Sequence, residues 1–247
     1  MENMDQQWKL GDAVVLKIVK EALLNQNEII KCIRELQSFS MELFEHSVNT
    51  ALVSLLLGMK AGLTFCGLKE IYIAGLLHDY GKLLIPKTIL EKKDRLTPEE
   101  RKVIELHPAA GFLSLQRDTM LSERVVYAVL DHHEKPDGSG YGSRKMGDSI
   151  TEYAKIISIA DVYDAMASDR TYRKAIDINI IRDYLHMSAG RGHDYKLVML
   201  FMELLEEKSL AKMEEKHKSI VCSMLFRSEY TENTHMTMAH IYIICME

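Results

Sequence analysis

The stretch AGLLHDYGKLLIP, residues 74–86, sets a His and an Asp side by side at the end of an apolar run, with Gly81 and Lys82 close behind. Neighbours on a helix differ by about 100° in direction, so His78 and Asp79 cannot point along one line in mid-helix. At a helix end, the pair can grip ions on either side, with the carboxylate bridging them. Upstream, MELFEHSVNTALVSLLLGMKAG (residues 41–62) places Leu43, Phe44, Val48, Ala51, Leu52, Leu55 and Met59 at helical spacing and stops near Gly62. Glu42 and His46 are four apart and share a face beside that stripe.

The same reading extends along the chain. A helix is expected over about 68–79, with Gly81 as its C-terminal stop. LTPEE (residues 96–100) marks another, with Thr97 as N-cap, Pro98 in the first position and Glu100 completing a capping box; His107 is expected near that helix's end. A further helix over about 121–133 carries His132 and His133. KPDGSGYGSRKMGD (residues 135–148) is a turn-rich loop, with Arg144 and Lys145 as solvated cations. Ser149 and Glu152 read as a second capping box, opening a helix that runs through Asp161. Helices over about 178–188 and 194–207 follow, and residues 12–36 form one or two more. Strand-like alternation is confined to HIYIIC, residues 240–245, so the fold class is all-α.

The totals agree. The chain has 247 residues, enough for one well-buried domain with extra segments. Hydrophobic residues make up 47%, and only 13 Gly and 4 Pro interrupt them, which favours helices. A net charge of −5 argues against broad binding to DNA or RNA. No window offers 18 uncharged apolar residues, so no membrane segment is expected. Asp5, Glu21 and Glu28 break any signal-peptide pattern, and the four cysteines form no CxxC pair. Together these point to reduced thiols in a cytoplasmic protein.

His46, His78, His107, His132 and His133 each fall in or at the end of an apolar helix, where an unpartnered imidazole is expensive. One such His is ordinarily a satisfied core residue. Five, accompanied by Glu42, Asp79 and Asp161, make a ligand set suited to iron, manganese or zinc. Two such ions a few ångströms apart suit a phosphodiester, because they activate water and neutralise phosphoryl oxygens. His186, His193, His217, His235 and His240 read as ordinary surface or loop histidines.

On these residues the sequence resembles the HD superfamily of metal-dependent phosphohydrolases, matched by His46, His78-Asp79 and Asp161. More narrowly it resembles the HD-GYP cyclic-dinucleotide phosphodiesterases, through LLHDYGKLLIPKTIL, LTPEERKVIELHPAAG, DHHEKPDGSGYG and IISIADVYDAMASDRTYRKA, in family order over about residues 40–207. The resemblance implies an HD-domain helical bundle over 39–207, with a short helical extension at 1–38 and a tail at 208–247. It implies two divalent transition metals, iron or manganese, held by His46, His78, Asp79, His107, His132, His133 and Asp161, with Asp79 as the bridge. Glu42 matches the acidic position that helps hold a third metal in some members. Lys82 matches a lysine near the scissile phosphate, Arg170 and Arg173 match phosphate-binding cations, and Tyr141 is the side chain available to a guanine or a phosphate.

The sequence departs from the family at two loops. Gly140-Tyr141-Gly142 stands where the family has Gly-Tyr-Pro, and Ile150-Thr151 where it often has Ile-Pro. Both changes read as softened loops. The implied activity is hydrolysis of cyclic di-GMP to linear pGpG and onward to GMP. The alternatives are the mixed ring 3′3′-cyclic GMP-AMP as substrate, a catalytically idle cyclic-dinucleotide-binding module, and a more distant HD nucleotidase. With no sensor domain in view, regulation falls to a homodimer contact, the N-terminal helices or a separate sensor partner.

Overall fold

The computed structural model describes residues 12–24, 26–169, 174–206, 217–223 and 225. Its helices are α1 (Asp12–Leu23), α2 (Asn27–Phe39), α3 (Met41–Lys60), α4 (Phe65–Leu77), α5 (Lys87–Leu90), α6 (Pro98–Ile104), α7 (His107–Asp118), α8 (Glu123–Asp131), α9 (Glu152–Ala167), α10 (Ile178–Ser188) and α11 (Tyr195–Glu206). No strand occurs among the described residues, only an isolated bridge between Ala189 and His193. The fold is all-α. The strand expected at 240–245 lies outside the described residues.

α3 is the axis. Ser40 caps its start by accepting the Leu43 N–H at 3.3 Å, and the helix is buried on nearly every face from Leu43 to Met59. A helix apolar all round belongs at the centre of a bundle. α4, α9, α2 and α11 pack around it, and α1 lies against α4. Val15, Ile18 and Val19 of α1 and Ile29 and Ile33 of α2 join the same apolar cluster as the central helices. Among the polar residues α3 buries, His46 and Asn49 reach Asp164 of α9, and Thr50 lies against His46.

Three local expectations change. Gly81 does not stop α4, which ends at Leu77; the chain tightens into a 3₁₀ turn over Tyr80–Leu84 that contains Gly81. A Cβ at Gly81 would lie 1.9 Å from the His107 carbonyl oxygen, so glycine serves there to let α7 cross closely. His107 does not end the helix that Thr97 opens. That helix has the expected capping box but stops at Ile104, and His107 begins α7, with Pro108 in its first turn. Ser149 does not cap α9: Thr151 does, accepting the Ala154 N–H at 3.3 Å, while Ser149 ends a short 3₁₀ turn.

Candidate metal centre

Three helix C-termini converge on one buried point. His78 follows α4, His107 follows α6 and His132 follows α8. Each donates its Nδ1 proton back to the carbonyl three residues earlier: His78 to Gly75 at 2.8 Å, His107 to Ile104 at 2.8 Å and His132 to Val129 at 2.7 Å. Each bond satisfies a carbonyl that the helix end leaves open. It also fixes the tautomer, so that Nε2 of each ring carries a lone pair directed onward. The negative ends of the α4 and α8 dipoles, at His78 and His132, add a potential that favours cations.

Asp79 stands between two sets of nitrogen atoms. Its Oδ2 lies 3.3 Å from His78 Nε2 and 3.6 Å from His46 Nε2, while its Oδ1 lies 3.1 Å from His107 Nε2 and 3.9 Å from His132 Nε2. Candidate ligand atoms within 4.8 Å of one another therefore form two groups sharing Asp79: His46, His78 and Asp79, and Asp79, His107, His132 and His133. Asp161 touches both, with Oδ1 3.0 Å from His46 Nε2 and Oδ2 4.0 Å from His133 Nδ1. His46, His78, Asp79, His107 and His132 are buried.

These residues fit divalent ions. His78 Nε2 and Asp79 Oδ1 are buried and have no hydrogen-bond partner among the described residues. The Nε2 atoms of His107 and His132 face one another at 3.3 Å with both Nδ1 protons engaged elsewhere. Nitrogens bound at about 2.0–2.1 Å to one ion are about 2.8–3.4 Å apart for octahedral to tetrahedral angles. Imidazole and carboxylate without thiolate suit iron, manganese or zinc.

The electrostatics follow. Burial raises the carboxyl of Asp79, but Lys82 and the surrounding histidines outweigh it and hold the group well below the usual range. Asp161 behaves likewise, through His46, His78 and His133. Burial lowers His132 far below its ordinary value and brings His133 to about 3, so both rings are neutral. His46 is the exception. Burial lowers it, yet hydrogen bonds to Asp161 and Asp164 push it up to about 9. A cation at its Nε2 would stand in for that proton.

Asp164 was not singled out in the sequence. Its Oδ2 takes the His46 Nδ1 proton at 2.7 Å, while Oδ1 accepts from Asn49 at 2.8 Å and Ser168 at 2.7 Å. It thus orients His46 as the backbone carbonyls orient His78, His107 and His132. Its position three residues after Asp161 on α9 was the available signal.

The remaining sequence candidates divide. Lys82 Nζ lies 2.5 Å from Asp79 Oδ2, so it reaches the centre. Tyr141 stacks on the His133 ring, with centroids 4.6 Å apart at 28°. Glu42 sits one turn before His46, partly exposed, and belongs to neither ligand group. Arg170 and Arg173 lie outside the described residues.

Lys145 is not merely a solvated cation. It pairs with the buried Asp131 at 2.6 Å, which Ser143 also contacts at 3.1 Å, tying the loop down. Gly142 has φ 119, and a Cβ there would meet the Leu130 carbonyl oxygen at 2.8 Å. Proline, fixed near −65°, cannot adopt that backbone, so the loop is rerouted rather than softened. His193 and His217 are also not surface residues: His193 lies buried against Ser158, and His217 is buried with its Nε2 2.8 Å from the Tyr72 hydroxyl.

A cavity of about 540 Å³ opens beside the centre, with His132, His133, Tyr141 and Asp161 in its lining. That size is ordinary for a site that takes a small organic ligand, which is about 300–1,000 Å³.

An all-α bundle around a His-Asp pair with converging histidines is the architecture of the HD domain, and the HD domain family model matches residues 32–196. The chain belongs to that family. Among curated proteins it is 36% identical, over 145 residues, to the cyclic di-GMP phosphodiesterase response regulator RpfG of Xanthomonas campestris pv. campestris, covering 58% of this chain and 38% of that protein. It is 38% identical, over 132 residues, to the 3′3′-cGAMP-specific phosphodiesterase 2 of Vibrio cholerae, covering 53% and 25%. Among solved structures, an HDG"Y"P protein of Bdellovibrio bacteriovorus superposes with a TM-score of 0.55 at 17% identity, covering 79% of this chain and 70% of that one. That likeness concerns the fold. The chain spans less than half the length of these two curated relatives. No described helix is long and apolar enough to cross a membrane.

Proposed function

We propose that this chain is a cytoplasmic, metal-dependent phosphodiesterase that hydrolyses cyclic di-GMP to linear pGpG and then to GMP. The observation that carries the reading is the division of Asp79, whose two oxygens face two separate groups of histidine nitrogens. The relatives' names supply the substrate class. We assign His46, His78, Asp79 and Asp161 to one ion and Asp79, His107, His132 and His133 to the other, with iron or manganese as the metal. Glu42 is the candidate ligand for a third.

Divalent ions held there supply Lewis acidity toward phosphoryl oxygens and lower the pKa of a coordinated water. The chain's own residues do the rest. His78, His107 and His132, fixed by their Nδ1 bonds, keep the centre rigid. In the reaction, a water oxygen attacks phosphorus in line with the 3′ oxygen, the P–O3′ bond breaks, and the departing oxygen takes a proton. Lys82, beside Asp79, is the cation placed to balance that developing charge or to donate the proton. Arg170 and Arg173 are proposed phosphate contacts on the sequence motif alone, and Tyr141 a contact to base or phosphate.

The mixed ring 3′3′-cyclic GMP-AMP is a second substrate reading, favoured by the 38% identity to a Vibrio cholerae enzyme named for it. Residues 39–207 would carry the catalysis, with the segments 1–38 and 208–247 available for dimer or sensor contacts. The test is hydrolysis of both rings by protein purified without oxygen, with product identification. Linear pGpG from cyclic di-GMP supports the first reading. Turnover of the mixed ring alone supports the second, and no turnover of either contradicts both.

A further inference from the structure

The cavity beside the metal centre is lined also by Ser158, His193 and Tyr184. His193 is 5% exposed and Ser158 8%, and His193 Nδ1 lies 3.0 Å from Ser158 Oγ. Ser158 has one hydroxyl proton, and the Lys155 carbonyl oxygen lies 3.3 Å from Oγ to receive it. Oγ is then the acceptor for the Nδ1 proton, and His193 Nε2 is left as a lone pair toward the cavity it lines.

The backbone holds this ring in place. His193 N–H donates to the Ser188 carbonyl at 3.1 Å, and the His193 carbonyl accepts from Gly190 N–H at 2.8 Å. The same turn joins the Tyr141 loop through the Asp137 N–H and the Arg191 carbonyl at 3.2 Å. Burial, with Lys135 adding to it, lowers His193 to about 4, so the ring is neutral and can accept. Tyr184, a residue 46% exposed, lines the cavity beside it and offers an aromatic ring there.

A buried acceptor on a fixed ring beside an aromatic ring is the chemistry that reads a nucleobase: one face stacks, and one edge donates an N–H. We propose that Ser158, His193 and Tyr184 form a nucleobase subsite, in which His193 Nε2 accepts an imino or amino N–H of a purine and Tyr184 stacks on its ring. This rests on the cyclic-dinucleotide reading above. The metal centre would engage the phosphate being cut, and this wall would engage a base of the same ligand.

The test compares His193→Phe and Ser158→Ala with the unaltered protein. Equilibrium binding of cyclic di-GMP is measured by calorimetry, and KM is measured for cyclic di-GMP and for bis(p-nitrophenyl) phosphate, a diester with no nucleobase. For His193→Phe the expected result is at least a tenfold rise in Kd for cyclic di-GMP, and a rise in its KM at least tenfold larger than the rise for the baseless diester. Ser158→Ala, which frees the ring's tautomer, should show the same selectivity with a smaller loss. Equal losses on both diesters, or Kd values within twofold of the unaltered protein, overturn the subsite. If the unaltered protein binds no cyclic dinucleotide, the functional reading has failed and the subsite falls with it.

Discussion

The Nε2 atoms of His107 and His132 lie 3.3 Å apart in a buried centre, and each ring has already committed its Nδ1 proton to a carbonyl behind it. Two lone pairs at that separation repel unless a cation lies between them. The arrangement comes from chain geometry: α6 and α8 end where their histidines can turn back on the last turn, and α4 does the same with His78. Asp79, one residue later, divides its oxygens between the two nitrogen groups. Fold and candidate metal centre are thus one feature, because the bundle brings its helix ends together at the candidate ligands.

Asp164 takes the His46 Nδ1 proton and belongs to neither candidate ligand group. For Asp164→Ala, metal affinity should fall about 10–100-fold, as for other carboxylates behind a ligating histidine. Competition with a chromogenic chelator measures this. Asp164→Asn should lose less, since it keeps an oxygen for the Nδ1 proton. Affinity equal to the unaltered protein in both variants would remove Asp164 from the centre.

Gly81 is where α7 passes closest to the turn after His78. A methyl at Cβ would meet the His107 carbonyl oxygen at 1.9 Å, inside any real contact, so Gly81→Ala should destabilise by about 3 kcal/mol and displace His107. Urea unfolding gives the first number and metal content the second. Stability and metal content both unchanged would contradict the close approach.

Gly142→Pro should not restore a simpler loop. At φ 119 the proline ring cannot fit, so residues 140–145 must move, and Tyr141 with them. The expected outcome is a changed KM for cyclic dinucleotide with metal content retained. Unchanged KM and substrate ranking would mean that the loop's path has no part in binding.

His217 offers a pH test away from the metal. Burial lowers it from 6.5 to about 3, while in the unfolded chain it takes a proton near its ordinary value. Its contribution is therefore complete above pH 6.5 and declines as pH falls toward 3, because the unfolded state then binds the extra proton. His217→Gln keeps an acceptor for the Tyr72 hydroxyl and removes the titration. Over that window the unaltered protein should lose stability relative to the variant by up to about 1.4 kcal/mol per pH unit. Parallel curves would show that His217 is not buried as a neutral ring.

Much of this was legible in the sequence. The stripe on α3 and the Thr97–Glu100 box are local signals, and both appear as read. The histidines stood out because polar rings sit at the ends of apolar runs. His107 was placed on the wrong helix, although Pro108 marks a new start. Asp164 was missed because its role depends on α9 meeting α3, which no local pattern encodes. His193 and His217 have polar neighbours in the chain, and only tertiary packing buries them. The path of Gly142 was hidden too, since a sequence shows that proline is absent but not which φ takes its place.

The central claim is that Asp79 joins two ion sites. Elemental analysis of protein purified without oxygen, run beside the isosteric Asp79→Asn variant and with folding checked by circular dichroism, tests it most directly. The account predicts close to two transition ions per chain in the unaltered protein, one for each ligand group, and one or fewer in the variant. Two ions retained in a folded Asp79→Asn protein, or none in the unaltered one, would contradict it.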